Sequence, residues 1–156
     1  MTQRRLAICA VLVTAIALLS GCGVTRRIPE GEYLLTKNIV EVDKSAPKNE
    51  RVPAGDIEEY IHQKPNKKIL GINFGVWLYA QANPDKQDAW NNFLRRVGEE
   101  PVYFDYAQTV NSAKNIRTYL FSRGFFNATE GYDIDTIQKR KRIKVTYRGK
   151  QNTPYR

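Results

Sequence analysis

A chain of 156 residues, 42% hydrophobic and 26% charged, has material for one small globular domain plus appendages. Its formal charge of +9 at pH 7 permits contact with anionic lipid or nucleic acid, and speaks to encounter and solubility rather than to fold. One histidine and two cysteines exclude a His-rich or Cys-based metal site, and they leave no catalytic His pair that does not use His62.

Residues 1–21 read as a targeting segment. Arg4 and Arg5 supply a positive start, and residues 6–19 form an uncharged apolar run that is too short to span a bilayer but suits a signal-peptide core. The run ends in Leu19-Ser20-Gly21-Cys22, which resembles the lipobox of bacterial lipoproteins: an aliphatic residue, two small residues and an acceptor thiol. Cys9 lies inside the leader, so Cys22 has no disulfide partner in a mature chain. The resemblance implies that Cys22 carries a diacylglyceryl thioether and acyl chains such as palmitate, and becomes the first mature residue. No other cofactor is expected. Residues 22–31 then form a lipidated tether. Its first part, Gly23 to Arg27, holds no Asp or Glu, which favours the outer membrane, with the chain facing the periplasm.

Residues 33–43, YLLTKNIVEVD, read as a strand. A proline-containing charged loop follows. The next helix starts at Pro53 or Asp56 and runs to Gln63, with Ile57, Tyr60 and Ile61 on one face and Pro65 forcing its end. His62 is expected to be exposed on that helix. Residues 69–79, ILGINFGVWLY, are the most apolar part of the mature chain, and their two glycines leave strand and helix open. Asn83-Pro84-Asp85 is a turn and N-cap for a helix over 85–97. Its stripe is Trp90, Phe93, Leu94 and Val97, with Gly98 at the C′ position.

The strongest helix spans 106–123. Asp105 is its N-cap, Thr109, Ala113, Ile116 and Leu120 are its buried stripe, and Gly124 terminates it. Residues 125–136 alternate as a strand with Phe126, Ala128, Tyr132 and Ile134 on one face. Ile143, Val145 and Tyr147 mark a last strand after a polar, basic connection. This order makes an α+β domain: a three-stranded sheet with helices on one face and a helical insertion over 65–100. At least one edge strand stays unpaired, a surface that recognises extended chains. Tyr132, Asp133 and Thr146 are the positions from which that edge would touch a partner.

Catalytic groupings are scarce. GINFG and GEYLL lack the strand–glycine loop–helix setting of a phosphate site, and Glu58/Glu59 and Glu99/Glu100 are sequence neighbours that diverge on a helix or turn. An enzyme is disfavoured. The run Lys139-Arg140-Lys141-Arg142 with Lys144 is a solvated hairpin tip or a contact for anionic headgroups or a partner. Nucleic acid is disfavoured because no interleaved aromatics or recognition helix accompany the run. The aromatic clusters around Trp77 and Trp90 either pack a helix pair onto a core or form a partner groove or membrane-interface contact.

Four stretches carry a family resemblance: IPEGEYLLTKNIVEVD after the lipobox, YIHQKPNKKILG, WNNFLRRVGEEPVYFD, and NSAKNIRTYLFSRGFFNA followed by two strands. Together they resemble the N-terminal region of lipidated BamA/TamA-type (TamL-like) outer-membrane assembly proteins of Bacteroidetes. The β-α-α-β-β order is that of a POTRA domain, and the resemblance implies one such domain over 32–150. It implies a non-enzymatic module that binds outer-membrane protein clients or envelope assembly partners by edge-strand augmentation. Residues 151–156 are expected to open a further module, with a C-terminal β-barrel missing in cis. The alternative is a stand-alone periplasm-facing lipoprotein with a structural or envelope-binding role.

Overall fold

A computed structural model describes residues 28–42, 47–69 and 71–151. The elements are β1 (Leu34–Val42), α1 (Ala54–Glu58), α2 (Phe74–Gln81), α3 (Ala89–Val97), α4 (Tyr106–Ser122), β2 (Thr129–Ile137), a 3-10 turn (Gln138–Arg140) and β3 (Arg142–Lys150). The chain divides into two compact units. Lys68–Glu100, with α2 and α3, falls in one; Pro29–Lys67 and the segment from Pro101 onward, with the other elements, fall in the second.

In the second unit the chain is β-α-α-β-β, and the sheet order is β1-β3-β2. The last-formed strand is therefore the inner one, parallel to β1 and antiparallel to β2. Its sequence RIKVTYRGK alternates as a half-covered strand must. Ile143, Val145 and Tyr147 join Ile57 of α1 and Ala113, Ile116 and Leu120 of α4 in one apolar core. The residues between them are mostly basic and lie on the helix-free face. Burying side chains such as Leu120 and Ile57, both fully enclosed, contributes about 1.5–3 kcal/mol each. Gly149 faces the same helices, and a Cβ there would lie 3.3 Å from Leu120 Cδ1. In β1 the register shifts between Leu35 and Lys37, and Thr36 Oγ1 donates to Ile143 O at 2.9 Å. Asn38, Val40 and Val42 then sit beside Val145, Tyr147 and Gly149 of β3.

The α4 helix follows its sequence closely. Asp105 accepts from the Gln108 N–H at 3.1 Å, and Thr109, Ala113, Ile116 and Leu120 are buried together with Ser112. At the other end Gly124 takes φ +90°. Its N–H donates to Phe121 O, and that of Phe125 to Leu120 O, the paired bonds of a Schellman turn. That turn sends Phe125, not the expected Phe126, into the core. Phe126 is half exposed and meets Phe121 edge-on at 4.8 Å. Strand β2 accordingly starts at Thr129, later than 125.

The first helix is shorter than expected, because side chains claim the backbone beyond it. Ser112 Oγ accepts from His62 N at 3.0 Å. Gln63 donates through Nε2 to Tyr103 O at 2.5 Å and accepts from Asp105 N at 3.1 Å. Buried Asn66 accepts from Val102 N at 2.8 Å. His62 is thus exposed but off the helix, with Nε2 2.6 Å from Asn115 Nδ2.

Within the insertion unit the ambiguity of 69–79 resolves into two glycine uses. Gly71, at φ +79°, turns the chain between mutually bonded Ile69 and Ile72. Gly75 sits inside α2, where an added Cβ would lie 2.9 Å from Glu99 Cβ. The following helix begins at Ala89 rather than at 85. Asn83 Oδ1 caps the local turn by accepting from Asp85 N at 3.0 Å, while Asp88 accepts from Asn91 N at 2.8 Å as the true N-cap. Gly98 has φ −73°, so it is not the left-handed C′ residue that the sequence implied. A close helix–helix approach requires it instead: a Cβ there would meet Tyr79 N at 2.5 Å and Leu94 O at 2.7 Å. Both neighbours are backbone, so Gly98→Ala should cost about 1–3 kcal/mol of overpacking, read as faster amide exchange in α2 and α3.

Hydrogen bonds from the Gln108 backbone and side chain hold the Asp105 carboxyl below the usual carboxylate range. A depressed folded value means that the cap's contribution is fully present above the ordinary Asp value of about 4 and is lost as pH falls through the lower folded value. Asp105→Asn keeps an acceptor but removes the titration. Urea unfolding of this variant should therefore show a shallower loss of stability below about pH 4 than the parent chain.

Candidate functional site

The two outer strands of the sheet differ in how much of their free side is occupied. On β1 the start is covered: Leu35 N donates to Val102 O and Phe104 N to Tyr33 O, at 2.9 and 2.7 Å. Farther along, Asn38 Nδ2 donates to Gln63 O at 2.7 Å. On β2 every one of its nine residues pairs with β3 on one side, and no strand among the described residues pairs on the other.

The residues singled out from sequence separate on this sheet. Tyr132 lies opposite core residue Tyr147 and packs partly against the core. Its ring meets Tyr106 at the start of α4 edge-on, with hydroxyls 2.9 Å apart. The Tyr106 hydrogen bond, then burial, raises the Tyr132 phenol above its ordinary range. Asp133 points to the opposite, helix-free face, where it pairs with Arg148 Nη2 at 2.5 Å. Thr146 is on the inner strand, between Ile39 and Asp133. Its backbone has a strand on each side, so it does not offer a free edge.

The helix-free face is a small charge lattice. Arg148 reaches Asp133 on β2 and, through Nε at 3.4 Å, Glu41 on β1, while Lys144 meets Asp135 at 2.9 Å. All these side chains are more than a third exposed, so the lattice neutralises charge and orders side chains more than it stabilises. Toward the 3-10 turn the balance shifts to cations: Lys139 and Arg140 are exposed, Lys141 is left-handed at φ 45°, and Arg142 opens β3. The basic connection between the two strands is short, since β2 runs on to Ile137 and β3 starts at Arg142.

Beside β1 lies a half-open cleft of about 350 Å³ bordered by Lys37, Asn38, Glu58, Glu59 and Lys64. Asn38 Oδ1 is enclosed there without a hydrogen-bond partner among the described residues. Two carboxylates and two amines border it, and no group of three or more His, Cys, Asp or Glu able to hold a metal ion occurs among the described residues.

In the insertion unit, Trp77 is half-buried and stacks on Phe74 at 5.7 Å, and Trp90 stacks on Phe93 at 5.8 Å. The expected stripe on α3 splits. Leu94 is buried, but Trp90, Phe93 and Val97 are exposed, Trp90 to 66%. The helix instead buries Asn91, whose Oδ1 accepts from Asn83 N and whose Nδ2 donates to Asp88. Apolarity alone marked Leu94 correctly but not the other three positions, and the spacing of Asn83, Asp88 and Asn91 was the signal available for the buried amide. Cys22 lies outside the described residues, and no helix among those described is long and apolar enough to cross a membrane.

The lattice makes a quantitative expectation. Arg148→Met should cost no more than about 1 kcal/mol in urea unfolding, because its partners remain hydrated. Val145→Ala, on the covered face of the same strand, should cost more. Comparison with family models, curated proteins and solved structures returns no match.

Proposed function

We propose that this chain is a POTRA-like, non-enzymatic interaction module of an outer-membrane protein assembly factor, held at the periplasmic side of the outer membrane by acylated Cys22. The observation that carries the reading is the open edge of β2. An extended client segment laid beside Thr129–Ile137 would complete backbone hydrogen bonds that β3 satisfies on only one side. Augmentation of this kind draws its affinity from main-chain pairing, with alternate side chains supplying selectivity. It needs no acid, base or nucleophile. Clients are unfolded outer-membrane protein chains, whose strands have free backbone groups before they enter a barrel.

Support comes from the β-α-α-β-β order with β3 inside, from the lipobox at residues 19–22, and from the family resemblance of the sequence. Tyr132 and Asp133 flank the edge from its two faces, so each would touch the added strand. The exposed Trp90 and Phe93 of α3 favour a second contact, with Trp77 on α2 of the same unit as its other candidate residue.

A photoreactive residue placed in turn at Tyr132, Asp133, Thr146, Trp77 and Trp90 separates these surfaces. Positions 132 and 133 should crosslink to nascent outer-membrane protein chains, and position 146, on a strand paired on both sides, should give little. Crosslinks confined to 77 and 90 would move the binding site to the insertion unit.

A further inference from the structure

We propose that the end of the sheet formed by Lys139, Arg140, Lys141 and Arg142 docks onto lipid phosphates of the membrane that anchors the chain. The proposal rests on the reading of Cys22 as the acylated residue. It is carried by the point at which the chain enters the sheet.

Lys141 Nζ donates to Pro29 O at 3.2 Å, and Lys141 O accepts from Leu34 N at 2.9 Å. Leu34, the first residue of β1, is in register with Arg142, the first of β3. The tether therefore joins the domain at the basic end, not at the end where Val42 meets Gly149. Six residues, and hence seven Cα–Cα steps, separate Cys22 from Pro29. Fully extended they reach about 25 Å at most, and the nine-residue strands extend about 30 Å beyond. An acylated Cys22 thus keeps the basic end near the lipid surface, whereas the far end of the sheet can stand well away from it.

Charge complements that placement. Of the six residues 139–144, five are cationic, and no acid lies between Asp135 and the end of β3. Lys144 is taken by Asp135, and Arg148 by Glu41 and Asp133. Lys139 and Arg140 are exposed and have no ion pair among the described residues. Ile137, half exposed at the end of β2, supplies an apolar side chain beside the cations, the combination that settles at a headgroup boundary. No aromatic residue lies in 137–144, so the surface lacks the stacking platform that a single-stranded nucleic acid would use.

Docking in this way would set the domain's orientation. Strand β2 runs toward Ile137 and hence toward the membrane, so a segment paired along its edge would be led to the lipid surface.

The test uses the chain acylated at Cys22, with acylation read first by mass spectrometry of the mature N-terminus. A fluorophore is attached through Gln138→Cys. The protein is reconstituted in phosphatidylcholine vesicles bearing a nitroxide-headgroup lipid, with or without roughly 30% phosphatidylglycerol. Quenching should rise with the anionic lipid and fall at high salt. Lys139→Gln with Arg140→Gln should lower the docked-to-free ratio roughly 25-fold, about fivefold per charge. Lys114→Gln with Arg117→Gln, an equal charge change on exposed sites of α4, should change it less than about twofold. Quenching of the acylated chain that ignores lipid charge and salt would overturn the docking while leaving the anchor intact. An unmodified Cys22 thiol would overturn both. A loss with the residue 139 and 140 substitutions that occurs equally on both vesicle types would assign these residues to a protein contact and also overturn the proposal.

Discussion

The sheet depends on β3 being satisfied on both sides. It is the last strand made, yet it is the one that both β1 and β2 require, since the two do not pair with each other. Every inward side chain it offers, Ile143, Val145 and Tyr147, enters the core. At its end Gly149 leaves room for Leu120 and Ile57, whose Cδ1 atoms would lie 3.3 and 3.8 Å from a Cβ there. A parallel β1–β3 pair requires a long crossover, and α1 and α4 provide it on one face of the sheet. The opposite face then has no helix to bury it, and its basic and acidic side chains are the solution that water permits.

That crossover also explains how a segment as long as Lys68–Glu100 can be carried between two helices of a small domain. Just outside it, residues 63–66 and 102–105 are joined by side-chain amides: Gln63 to Tyr103 and Asp105, and Asn66 to Val102. With the ends held together, lengthening the intervening chain costs little more than the slow logarithmic growth of loop entropy. The amides replace a regular helix end over 59–66, and they satisfy backbone groups that a buried turn would otherwise leave unpaired.

Much of this fold is legible in the sequence wherever a periodic apolar pattern meets a specific cap. For α4 the cap, stripe and terminating glycine agree with one another, and Asp105, Leu120 and Gly124 behave as their residue types dictate. The α+β class and the three strands follow from the same reasoning. The failures are instructive because each involves a long-range partner. Gly98 looks like a helix stop but answers to the backbone of Tyr79. Phe125 and Phe126 exchange roles because the Schellman turn fixes which one points inward. Gln151 gives no sequence signal at all, yet it is buried and bonds both the N–H and the C=O of Val52. Of the candidate contact residues, sequence pattern put Tyr132, Asp133 and Thr146 on adjacent strands. Only strand order, which periodicity does not encode, separates the edge positions from the inner one.

An exposed strand edge is ordinarily a hazard that proteins blunt with prolines, bulges or charges aimed outward. The β1 edge is blunted in this sense, since residues 102–104 and the Asn38 amide occupy part of it. On β2 the charges are differently used. Asp133 and Asp135 are drawn across the sheet face toward Arg148 and Lys144 of the inner strand. That geometry favours pairing with an added strand, because the acids that would otherwise guard the edge are engaged elsewhere.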